Sequence, residues 1–201
     1  MKKIIAIIAL VMMIPAAAMA GTIDGTAHDL SSGSGTVTFG SVDQTCEFCH
    51  APHGGGTDVP LWNRNAPVGP FGVYTSGTMD DVSVVAGVSA ACMSCHDGVT
   101  ALDSTLVDAG GVQASAFAGT GCAIAGDILD GCVADLGLDL TNDHPIGVDF
   151  TDAYTNLPVT AKTFGGLVEC ASCHNVHDDT NGSFLIMPNT SSALCQDCHT
   201  Y

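Results

Sequence analysis

Positive charge is nearly missing from this chain of 201 residues: four Lys and Arg stand against 21 Asp and Glu, a formal charge of −17. Two of the four, Lys2 and Lys3, sit at the extreme N-terminus, which leaves Arg64 and Lys162 as the cations in the body of the chain. So acidic a surface repels phosphate backbones and anionic lipid, which argues against nucleic acid and membrane surfaces as partners. The acidity also serves solubility, whatever the partner.

Aromatic side chains are scarce at 5%, with Trp62 the single tryptophan, while there are 24 glycines. A chain this rich in Gly, Ala and Val struggles to build a dense interior from its own side chains. Something else must fill the middle. Long apolar runs are missing too, with one exception. Ile4 to Ile14 follows Lys2 and Lys3 and leads into Ala18-Met19-Ala20. A basic start, a short apolar run and small residues before a cut make residues 1–20 a secretory signal, cleaved after Ala20. The run is shorter than the roughly 20 residues a membrane span needs. With no cysteine near the cut, a lipid anchor is not expected. The expected destination is the periplasm, or the outside of the cell and its surface.

Cysteine is what the chain has in quantity, at ten residues. In an exported protein that number ordinarily means disulfides. Eight of them instead repeat one pattern: Cys46-Glu47-Phe48-Cys49-His50, Cys92-Met93-Ser94-Cys95-His96, Cys170-Ala171-Ser172-Cys173-His174 and Cys195-Gln196-Asp197-Cys198-His199. C-x-x-C-H is the attachment motif of haem c. Two thiols about one turn apart add to the two vinyl groups of one porphyrin, and the adjacent histidine ligates the iron axially. Zinc also takes Cys and His, but gains nothing from a His placed after the second Cys in every copy. The expected cofactors are therefore four covalently attached haem c groups with their iron, ligated proximally by His50, His96, His174 and His199.

The eight histidines are divided evenly. Beyond those four motif residues stand His28, His53, His144 and His177, one spare for each iron. A six-coordinate haem needs a second axial ligand, usually His or Met, so equal numbers point to bis-His ligation throughout. Met79 and Met187 are read as packing, and Met93 lies inside a motif. His53 and His177 each follow a motif histidine by three residues. On a helix such positions share a face, and two rings on one face cannot reach opposite sides of one porphyrin. Each is therefore expected to serve a haem other than the one attached beside it, in its own chain or in another.

The same skeleton recurs along the chain: a spare His, a C-x-x-C-H-x-x-H and a plain C-x-x-C-H, first through residues 21–97 and again through 144–201. These are read as two di-haem modules of a duplicated unit. The intervening Gly/Ala/Asp-rich connection, 98–143, holds Cys122 and Cys132, expected to pair as a disulfide in an oxidising compartment. The fold expected is mostly irregular and loop-rich, with four haems forming the core. Short helices belong at the motifs, a short strand near Gly35–Phe39, and an extended loop through Pro52, Pro60, Pro67 and Pro70.

Beyond the motifs, the flanking pieces Ala27-His28-Asp29-Leu30-Ser31, Pro52, Pro60-Leu61-Trp62-Asn63, Asp97-Gly98 and Asn142-Asp143-His144-Pro145 carry a resemblance over nearly the whole mature chain. The sequence resembles the small tetrahaem cytochromes of metal-reducing bacteria, in particular the OmcE-type cytochromes that polymerise into extracellular filaments. The resemblance implies haems stacked in a continuous line of alternating parallel and T-shaped pairs. It also implies a junction at which a histidine of one subunit ligates a haem of the next, a role that falls to His53.

The function expected is electron transfer rather than catalysis, with redox proteins or extracellular acceptors as partners. A filament subunit is the first reading and a soluble periplasmic carrier the alternative. A multihaem oxyanion reductase is disfavoured: it needs an iron with an open position, and only Arg64 and Lys162 could hold its anion.

Overall fold

The computed structural model describes residues 23–31, 44–57, 59–79, 81–107, 123–125, 128–130, 133–150 and 163–199. The signal at 1–20, the strand near Gly35–Phe39, Lys162 and the Cys122–Cys132 pair lie outside the described residues.

Regular structure is sparse. Strand β1 (Gly72–Val73) pairs in parallel with β4 (Asp139–Leu140). Strand β2 (Ala123–Ala125) is antiparallel to β3 (Ile128–Asp130), and β5 (Val148–Asp149) to β6 (Leu167–Val168). Helix α1 spans Gly87–His96, α2 Cys170–Cys173 and α3 Ala193–Gln196, the last preceded by a 3-10 turn over Thr190–Ser192. Each helix carries a C-x-x-C-H motif or its leading cysteine, as the spacing predicts. The first motif departs from this and forms successive turns: Cys49 and His50 both donate from their backbone N–H to the Cys46 carbonyl. The proline-rich stretch from Pro52 is loop, as expected, broken by isolated bridges from Trp62 to His50 and Gly56.

Helix α1 is the longest, running back from the motif to Gly87, and Ala90 and Ala91 favour that extension. It has no capping side chain of its own at Ala86. The missing acceptor comes from far along the chain. Glu169 Oε2 accepts from Ser89 N (3.2 Å) and from the Ser89 hydroxyl, while Ser89 Oγ accepts from Cys170 N (3.0 Å). Glu169 is also the N-cap of α2, in a reciprocal box with Ser172. One buried carboxylate thus serves the N-terminal ends of two helices and locks the second motif against the third. At its other end α1 stops at Asp97. The Asp97 carboxylate accepts from Val68 N, Val99 N, Thr100 N and the Thr100 hydroxyl. Gly98 follows at φ +64°, and a Cβ there would strike the Asp135 carboxylate.

The interior has little oil in it. Among the described residues the buried apolar set is Phe48, Ala51, Ala91, Met93, Leu102, Leu140 and Phe184, outnumbered by buried polar residues. Four of the apolar set, Phe48, Ala51, Ala91 and Met93, lie in or directly beside the first two motifs.

Candidate functional site

Among the described residues, none of the eight motif cysteines is in a disulfide. They approach one another between motifs in a regular order. Burial pushes the Cys49 thiol up to about 12, and nearby Cys95 adds to the rise. Cys92 and Cys170 hydrogen-bond to each other; Cys92 is raised by that bond, and Cys170 is lowered to about 7 as its acceptor. Cys173 is raised by burial and then by Cys198. The second cysteines of motifs one and two, the first cysteines of two and three, and the second cysteines of three and four are therefore neighbours. Each motif thus neighbours the next one along the sequence.

Three spare histidines stand opposite motif histidines. The rings of His28 and His96 are 6.0 Å apart between centres, those of His50 and His177 6.2 Å, and those of His144 and His199 6.1 Å. A metal–imidazole bond of about 2.0 Å and about 1.1 Å from nitrogen to ring centre put two axial imidazoles about 6 Å apart. The separations fit an iron held between each pair. The planes of His50 and His177 lie at 20°, nearly parallel, whereas the other two pairs are crossed at 63° and 61°.

The outer nitrogens are tied down. The Nδ1 atoms of His50, His96, His144 and His174 face the carbonyls of Pro60 (2.9 Å), Ala134 (2.6 Å), Pro145 (2.8 Å) and Ser183 (2.9 Å). A carbonyl only accepts, so each Nδ1 carries the proton and leaves Nε2 with its lone pair, the arrangement common to metal-bound histidines. His28 differs. Its Nδ1 is buried with no partner, and burial, then His96, holds its pKa down to about 4, so the ring is neutral. An edge-on contact with Phe184 at 4.4 Å orients it.

The fourth pair is not assembled. Among the described residues, no imidazole stands opposite His174 or His53, and both are exposed. The helical premise for His53 and His177 also needs correction. Helix α2 ends at Cys173, His174 has extended backbone at φ −119° and ψ 141°, and residues 50–53 are bend and loop. His50 and His174 are drawn out of helix by bridges to Trp62 and Leu185. The two segments share one hydrogen-bond frame: Ala51 N donates to Leu61 O and Asn63 N to Cys49 O, just as Asn175 N donates to Phe184 O and Ile186 N to Cys173 O.

A family model described as the doubled CXXCH motif matches residues 164–201. The match points to a multihaem c-type cytochrome, whose CXXCH motifs hold covalently bound haem c. It covers the third and fourth motifs of this chain. No curated protein matches the chain. The residues present fit the haem group: paired cysteines at the attachment spacing, and imidazoles facing one another in pairs. Haem c supplies one-electron chemistry at its iron, and such multihaem cytochromes are generally electron-transfer proteins. They are typically exported, and among the described residues no helix is long and apolar enough to cross a membrane.

Arg64, expected only as a possible hold for an anion, is 4% exposed and donates to Ser94 Oγ, Ser94 O, Leu102 O and Ala101 O. Its guanidinium is engaged inside the protein and offers an external anion little. Sequence reasoning passed over Glu169, Ser89 and Asp97, and it could not find the carbonyls behind the histidines, because a backbone acceptor leaves no mark in residue identity.

Proposed function

We propose that this protein carries four haem c groups, each ligated by two histidines, and conducts electrons along them as the subunit of an extracellular OmcE-type filament. The observation that carries the reading is the set of three facing imidazole pairs at iron-spanning distance. His28 serves the haem at Cys92–Cys95, His177 the haem at Cys46–Cys49, and His144 the haem at Cys195–Cys198. The neighbouring cysteines of successive motifs support haems close enough for electrons to hop from one to the next. A second histidine facing three of the four motif histidines leaves no open position at those irons, which supports transfer rather than catalysis.

The unpaired fourth set supports polymerisation. His174 needs an opposite ligand, and His53 is a spare exposed on the surface. Ligation of the Cys170–Cys173 haem by His53 of a second copy satisfies both and joins haem line to haem line. The matching hydrogen-bond frames after His50 and His174 support two duplicated modules, 21–97 and 144–201. The charge of −17 favours the other arrangement, a soluble carrier that repels its own copies. Negative-stain microscopy of holoprotein from a host that attaches haem c separates the two. Filaments in the wild type that vanish in His53→Ala establish the junction. Filaments that survive place it elsewhere, and compact monomers with fully low-spin haem make the protein a carrier with His53 ligating in its own chain.

A further inference from the structure

We infer that Arg64 is a potential-setting residue, whose buried charge raises the reduction potential of the haems attached at Cys46–His50 and Cys92–His96. The inference rests on the electron-transfer reading. Buried cations are normally paired with a carboxylate, and this chain has 21 acidic residues to choose from. Arg64 instead ends on four neutral oxygens, two of them on Ser94, inside the second motif. Its neighbour Asn63 donates from its backbone to Cys49 O at 2.8 Å, inside the first motif. Adjacent residues of one segment thus bind both motifs, with the guanidinium itself on the second.

Ser94 lies between Cys92 and Cys95, so the charge stands within the second attachment motif. When an iron accepts an electron the haem loses one unit of positive charge, so a fixed cation in a poorly screened interior favours the reduced form. Two buried carboxylates act oppositely elsewhere. Asp97 directly follows His96 and Glu169 directly precedes Cys170, and both are buried. The first haem thus feels Arg64 with least opposition, and the third feels Glu169. The line is graded rather than uniform.

Haem content of the holoprotein, by pyridine haemochrome and mass, tests the electron-transfer reading by itself. Spectroelectrochemical titration then tests the inference. Arg64→Gln with full haem content lowers the potential of part of the titrating absorbance, by about tenfold in the equilibrium constant, or about 59 mV for one electron. Arg64→Lys, which keeps the charge, moves less than half as far. A Gln titration that superimposes on the wild type, or an equal drop in the Lys variant, overturns the inference. If the Gln variant fails to take up haem, the wild type decides. Haem-resolved NMR titration is expected to place the haem at Cys46–His50 above that at Cys170–His174, and the reverse order overturns it.

Discussion

At the scale of single residues, one hydrogen bond decides which nitrogen of a histidine is left for a metal. His50, His96, His144 and His174 each commit Nδ1 to a carbonyl. His28 has no such tie and is held by packing on Phe184. His28→Ala in the holoprotein is expected to leave its haem attached through Cys92 and Cys95 but to open the iron. A high-spin, carbon monoxide-binding component absent from the wild type should appear in the absorption spectrum. Asp97 gives a second test. Burial pushes its carboxyl up, but the hydrogen bonds from Thr100, Val99 and Val68 outweigh this and leave it below the ordinary carboxylate value. A carboxyl more acidic in the folded state stabilises fully above its unfolded pKa of about 3.9 and loses that contribution as pH falls through the folded value. Asp97→Asn should therefore melt below the wild type at pH 7, and the gap should close as thermal scans are taken toward pH 3. The haem thiols and proximal histidines were legible in the sequence because covalent attachment dictates their spacing. The spare histidines were legible as a set of four, but their partners were not. Pairing His177 with His50 depends on how the chain returns, and no local spacing records that.

Among elements, the contact between α1 and α2 organises the middle of the molecule. Glu169 caps both N-termini and Ser89 closes the ring of bonds with Cys170. Glu169→Ala removes two caps at once and leaves Ser89 unsatisfied, a loss of about 2–3 kcal/mol. Denaturant unfolding of the holoprotein, followed by haem absorbance, would measure it. Gly98→Ala should cost stability as well, since its positive φ and the adjacent Asp135 both resist a Cβ. Helices at three motifs could be anticipated because C-x-x-C-H needs about one turn. The turn at the first motif, and the extended backbone at His174, could not. Both follow from bridges to Trp62 and Leu185, residues 12 and 11 positions away from the histidines they pair with.

For the whole molecule, the thin apolar interior means that folding depends on the cofactor. Protein made in a host without haem c maturation should show no cooperative thermal transition by circular dichroism, while holoprotein should melt sharply. A loop-rich chain was legible from its glycine and scarce aromatics. The adjacency of successive motifs was not, because it rests on contacts between cysteines distant in sequence. One of those contacts has a consequence for biosynthesis. Cys92 and Cys170 sit within hydrogen-bonding reach as thiols. Groups attached at these two positions would share one wall, so loading one site shapes the space left at the other. Covalent loading is therefore part of folding, and attachment at one motif conditions attachment at the next.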